Sequence, residues 1–170
     1  MLTDDQLKRF VTYKFSKECA SEEDVKIKFV VKLFEALGHS VDNMQFEAKG
    51  SDILISYGDK YPSIVIEAKH CDKHLDYYEY LRKTAKYCKK HNALLAVLTN
   101  GREIWIFHPG WSNNRTFPDT CLSKIKNNEL IKKKTILEKL LSRDALLSRG
   151  ILVEYLHDIV LLQMELDKRA

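Results

Sequence analysis

Apolar positions recur with helical spacing at the start of the chain. Leu7, Phe10, Val11 and Phe15 predict an amphipathic helix over 4–18, and Val25, Phe29, Leu33 and Leu37 predict a second over 22–37. Ser21 suits its N-cap, acids fill its first turn, and Gly38 is placed to end it. The period then shortens. Residues 43–48, 52–57 and 63–69 read as strands, with Met44 and Phe46 on one face of the first. Ile64-Val65-Ile66 is continuously apolar, as in a central strand covered on both faces. A helix over 73–91 follows, then strands at 93–98 and 104–107 joined by a turn at Asn100-Gly101. Residues 109–127 are rich in loop formers, and helices over 128–141 and 143–168 close the chain. Strands flanked by amphipathic helices predict an α/β fold with a central mixed sheet of four or five strands. A core over 1–127 would carry a helical extension over 128–170, packed on that core or at a dimer interface. Ile151, Leu152, Tyr155, Leu156, Ile159, Val160, Leu162 and Met164 are too many for one narrow stripe, which suggests a homodimer or an internal helix partner.

The hairpin Ser51 to Lys69 breaks its apolar pattern with charge. Gly58, Asp59 and Pro62 mark its turn. A turn centred between Asp59 and Lys60 sets Asp52 opposite Glu67, with Cβ atoms about 5 Å apart. Carboxylates that close repel, and a divalent cation between them converts the repulsion into binding. Strand alternation adds Lys69 to the same face as Glu67. Two acids and a lysine there are the parts of a metal-dependent phosphodiesterase. The other reading is strand-end charges reaching solvent.

Asp52, fourteen intervening residues and Glu67-Ala68-Lys69 resemble the PD-(D/E)xK nuclease motif, with Ser51 in place of the proline. Ser21-Glu22-Glu23-Asp24-Val25-Lys26 with the helix ending Leu37-Gly38-His39, and Leu98-Thr99-Asn100-Gly101 followed by Ile104-Trp105-Ile106-Phe107, resemble blocks of the type I restriction enzyme R-subunit N-terminal nuclease domain. The resemblance spans about residues 20–110. It implies a restriction-endonuclease-like fold and Mg²⁺- or Mn²⁺-dependent cleavage of DNA, in restriction, defence or DNA processing. Asp52, Glu67 and the Ala68 carbonyl would hold the ion, and Lys69 would act on the attacking water and the phosphate. Glu22, or Glu23 in its place, would complete the site. Lys26 stands where the family has an arginine, and Tyr87 keeps the tyrosine of a Gln-x-x-x-Tyr pair whose first position is Lys83. These three are the candidate DNA contacts. The rival is a catalytically silent nucleic-acid-binding or scaffold module. A Holliday-junction resolvase shares the site but requires a dimer.

The chain has 170 residues, a net charge of +4 and 45% apolar residues, as expected of one globular domain. Lys83, Lys86, Lys89, Lys90 and His91 form one basic run, and Lys124, Lys126, Lys132, Lys133 and Lys134 another. Both suit a DNA backbone, and both suit a solvated helix face. Restriction-system subunits are further candidate partners. No apolar run is long enough for a membrane helix, and the acidic N-terminus has no signal core, so a cytoplasmic location is expected. Cys19, Cys71, Cys88 and Cys121 have no CxxC spacing and read as reduced thiols. His70, Cys71 and His74 have no second pair of zinc ligands nearby. Tyr77, Tyr78 and Tyr80 crowd one helix start, where core packing competes with base stacking. No G-x-x-x-x-G-K-[ST] occurs, so no ATPase motor is encoded.

Overall fold

The computed structural model describes residues 1–13, 19, 21–109, 116–148 and 164–169. Six strands form one sheet in chain order: β1 (Met44–Phe46), β2 (Ile53–Ile55), β3 (Ile64–Ala68), β4 (Leu95–Thr99), β5 (Glu103–Phe107) and β6 (Cys121–Lys126). Neighbours pair antiparallel except β3 and β4, which run parallel. That reversal requires a crossover, and helix α3 (Tyr78–His91) supplies it.

The strand count exceeds the four or five expected. The extra strand, β6, lies inside the segment read as loop. Leu122, Ser123 and Ile125 are buried while Lys124 and Lys126 point out. A register shift at Ile106/Phe107 breaks the pairing with β5 and blurs the alternation.

Each sheet face carries its own core. Ile53, Ile55, Ile64, Ile66, Leu95, Val97, Ile104 and Ile106 face α1, α2, α4 and α5. Helix α1 is Asp4–Val11, α4 is Lys134–Leu141 and α5 is Arg143–Leu147. Helix α2 is composite: Glu22–Asp24, a π-helical stretch Val25–Val31, then Lys32–Ala36. The Ser21 hydroxyl accepts from the Asp24 amide at 3.1 Å, the cap its sequence predicts. On the opposite face, Ala96, Leu98 and Phe107 pack on Leu75, Leu81 and Cys88 beside and within α3.

The C-terminal extension enters the first core directly. Leu130, Ile136, Leu137, Leu140, Leu141 and Leu146 are fully buried there. His39, after α2, fastens this layer: Nε2 donates to the Leu141 carbonyl at 2.7 Å and Nδ1 accepts from the Tyr57 hydroxyl at 2.9 Å. The dimer expectation concerns residues 151–166, of which 151–163 lie outside the described residues. Phe15, at the end of the first predicted helix, lies outside them too.

The cysteine expectation needs correction. Cys19 and Cys71 are joined as a disulfide, and Cys88 and Cys121 are free. A pair separated by 52 residues has no signature in spacing; folding brings the approach to α2 against the end of β3. Among the described residues, no helix is long and apolar enough to cross a membrane.

Candidate functional site

The observed β2–β3 register pairs Ile53 with Ile66, Leu54 with Val65 and Ile55 with Ile64. Each pair sums to 119, so one further step sets Asp52 against Glu67, as the turn symmetry predicts. The two acids hold each other's strand end. Glu67 Oε1 accepts from the Asp52 amide at 3.2 Å, and Asp52 Oδ2 accepts from the Ala68 amide at 2.7 Å. Each carboxylate keeps one further oxygen. Asp52 Oδ1 has Lys26 Nζ at 3.7 Å, and Glu67 Oε2 has Lys83 Nζ at 3.3 Å and Lys69 Nζ at 3.7 Å. Those ammonium groups are near in charge, yet Glu67 Oε2 is buried with no aligned hydrogen-bond donor.

The connection between β1 and β2 aims Asp52. Glu47 (φ 53), Lys49 (φ 49) and Gly50 (φ 93) are all left-handed, a conformation costly for the first two. The C-terminal end of α3 stabilises it. His91 Nε2 donates to the Ala48 carbonyl at 2.9 Å and Lys90 Nζ to the Lys49 carbonyl at 3.0 Å. Ser51, the residue standing at the motif's proline position, donates its hydroxyl to the Ala48 carbonyl at 2.7 Å. A Cβ on Gly50 would come within 2.8 Å of the Tyr87 hydroxyl, so Tyr87 closes over this turn.

Helix α2 brings two further groups. Glu22 Oε1 lies 3.4 Å from Lys69 Nζ, and Glu23 turns to Lys26 at 2.9 Å. The geometry therefore separates the two acids: Glu22 reaches Lys69, and Glu23 does not. Lys26 is not an outward-facing cation. Its side chain is buried, with Glu47 at 2.6 Å as well as Glu23 and Asp52 around it. Sequence reading missed Glu47, whose approach to Lys26 depends on the left-handed turn.

Burial pushes the Glu67 carboxyl up to about 7, and the Asp52 charge adds to this; Lys83, Lys69 and the Asp52 amide act against it. Burial also raises the Asp52 carboxyl, opposed by the Ala68 amide and by Lys69 and Lys26. For Lys26, burial disfavours the charge, but the bonds to Glu47 and Glu23 and the field of Asp52 outweigh it. Lys83 behaves likewise: burial acts against its charge and Glu67 raises it.

These features fit a hard cation. The donors left over are carboxylate oxygens, one of them orphaned, and repulsion between two buried acids is what a divalent ion relieves. Glu22 does not join Asp52 and Glu67 as a close third donor. Among the described residues, Cys19, His70 and Cys71 are the one trio of His, Cys, Asp or Glu with ligand atoms all within 4.8 Å, and two of its members are the disulfide.

The expected site residues thus converge from α2, β2, β3 and α3. The second basic run does not form one face. Lys133 is buried beside Glu129 and Asp167, and Lys124 lies 3.9 Å over the Trp105 ring. Comparison with protein-family models, with curated proteins and with solved structures finds no match to this chain.

Proposed function

We propose that the chain is a metal-dependent deoxyribonuclease with a restriction-endonuclease-like fold, cutting DNA phosphodiester bonds in restriction, defence or DNA processing. One observation carries the reading. Two buried carboxylates meet at adjacent strand ends, one with an unsatisfied oxygen, and a lysine lies beside them. Mg²⁺ or Mn²⁺ held by Asp52, Glu67 and the Ala68 carbonyl would supply Lewis-acid polarisation and a more acidic water. Lys69, between Glu22 and Glu67, presents positive charge to a phosphate oxygen, where it stabilises the growing negative charge. Glu22 orients that ammonium. Lys26 compensates Asp52 from beneath rather than gripping DNA, and half-exposed Lys83 is the group free to turn to a phosphate.

Lys83 also favours a second reading, a silent nucleic-acid-binding module. Its ammonium stands 3.3 Å from the oxygen an ion would use. Plasmid nicking with Mg²⁺, Mn²⁺ or EDTA decides between them. Metal-dependent nicking that disappears in Glu67→Ala supports the nuclease. DNA binding without cleavage in any metal, unchanged by Lys83→Gln, supports the silent module.

A further inference from the structure

Of the tyrosines at the start of α3, Tyr80 packs partly buried against the second core, and Tyr77 and Tyr78 do not. Tyr77 is 56% exposed and Tyr78 69% exposed, the two most exposed Phe, Tyr or Trp side chains among the described residues. Tyr77 is nevertheless held in place. Its ring meets Tyr80 edge-on at 5.0 Å between centroids, and the Tyr80 ring carries Lys69 Nζ at 5.3 Å. An unbroken chain of contacts therefore leads from the lysine of the site to an exposed aromatic face. Leaving two large rings in water gains nothing for folding. Tyr77, joined through Tyr80 to the lysine of the site, and its sequence neighbour Tyr78 offer exposed rings of the kind unpaired bases use, because every base has a π-face and stacking tolerates any sequence.

We propose that Tyr77 and Tyr78 form a stacking surface for unpaired bases of a nucleic-acid strand whose phosphate lies at Lys69. This rests on the reading that the site receives a nucleic acid, and it deepens that reading by naming the substrate class: single-stranded or locally opened DNA. The charge of the surrounding stretch is nearly balanced. Between residues 69 and 83, Lys69, Lys73, Arg82 and Lys83 are offset in sequence by Asp72, Asp76 and Glu79, with Glu79 paired to Arg82 at 2.7 Å. Base stacking, not added positive charge, is what this surface contributes. Bases locked in a duplex present only their edges, so duplex DNA gains nothing from it.

The test is equilibrium binding of a short fluorescein-labelled oligonucleotide to the full chain in EDTA, where no hydrolysis occurs. Three probes are compared: the single strand, its duplex, and the same strand with abasic spacers in place of central nucleotides. The double variant Tyr77→Ala/Tyr78→Ala is expected to lose about tenfold or more in affinity for the single strand, and less than about twofold for duplex and abasic strands. Tyr77→Phe/Tyr78→Phe keeps the rings and is expected to bind like the wild type. Equal losses on all three probes, no loss on any, or failure of the Phe variant to bind the single strand would overturn the proposal. So would a wild type that binds no oligonucleotide. Plasmid nicking separates this from the parent reading. A protein that nicks nothing yet shows the stacking pattern loses the nuclease activity and keeps the surface. One that nicks without the pattern keeps the activity and loses the surface.

Discussion

Two polar junctions buried in this molecule are built on opposite terms. At His39 every ring nitrogen has a partner, and the residue ties α2 to Tyr57 and to the end of α4. At Glu67, buried just as deeply, one oxygen accepts an amide bond and the other has only nearby ammonium charge, with no aligned hydrogen bond. The first junction is finished by folding alone. The second would be completed by the proposed cation; among the described residues only the Lys83 and Lys69 ammonium charges approach Glu67 Oε2, at 3.3 and 3.7 Å. Burial acts on both groups, disfavouring charge in each. It lowers the His39 pKa and raises that of Glu67.

The sharpest test of the difference is at the unfinished junction. Lys69→Ala should leave Mn²⁺ affinity by calorimetry nearly unchanged and reduce the nicking rate by about 10²–10⁴-fold. Unchanged nicking would remove the site from consideration. Breaking the finished junction should act on stability instead. His39→Ala strands the Leu141 carbonyl and opens a gap, costing about 2–4 kcal/mol in denaturant unfolding, with no selective effect on metal binding.

The contrast also has a pH signature. Glu67 has a folded pKa raised to about 7. Its neutral form therefore contributes stability that is present below about 4.5 and lost as pH rises through 7. His39 has a folded pKa below its ordinary value of 6.5, so its contribution is present above that value and lost as pH falls through the lower folded one. Glu67→Gln should stabilise the ion-free protein at pH 8 by about 1–3 kcal/mol and abolish metal binding. His39→Gln should flatten the acid side of the stability profile only. Thermal melts across pH, in EDTA, would separate the two, and matching profiles for both variants would erase the distinction. The smallest effect belongs to the turn that aims Asp52. Gly50→Ala, at φ 93 and pressed against Tyr87, should cost about 1–2 kcal/mol. It should also weaken Mn²⁺ binding, whereas a change at Gly58, whose missing Cβ would meet no atom, should leave the ion unaffected.

Much of this site is legible in the residues because its logic is local. The symmetric turn determines the β2–β3 register, and strand alternation then aligns Glu67 with Lys69. Ser21 and the acids after it announce where α2 begins, hence where Glu22 stands. The rest depends on contacts that no spacing records. Glu47 meets Lys26 through left-handed residues that are not glycine. Cys19 finds Cys71 across 52 residues. β6 carries lysines at its exposed positions and a serine in the core, so its apolar alternation is too weak to register. Charge also misleads about direction: Lys26 and Lys133 read as surface cations, and both point inward because carboxylates await them.

The π-helical stretch of α2 acts as an angular spacer. A π turn carries more residues than an α turn, so it shifts the angular phase of everything before it relative to everything after. Leu33, after Val25–Val31, is buried in the core while Glu22, before it, reaches Lys69, because that stretch sets the phase between the two. Forcing the same residues into α geometry, at about 100° per residue, would wind the helix start further round its axis while the apolar grip of Leu33 stayed in place, and carry Glu22 away from Lys69.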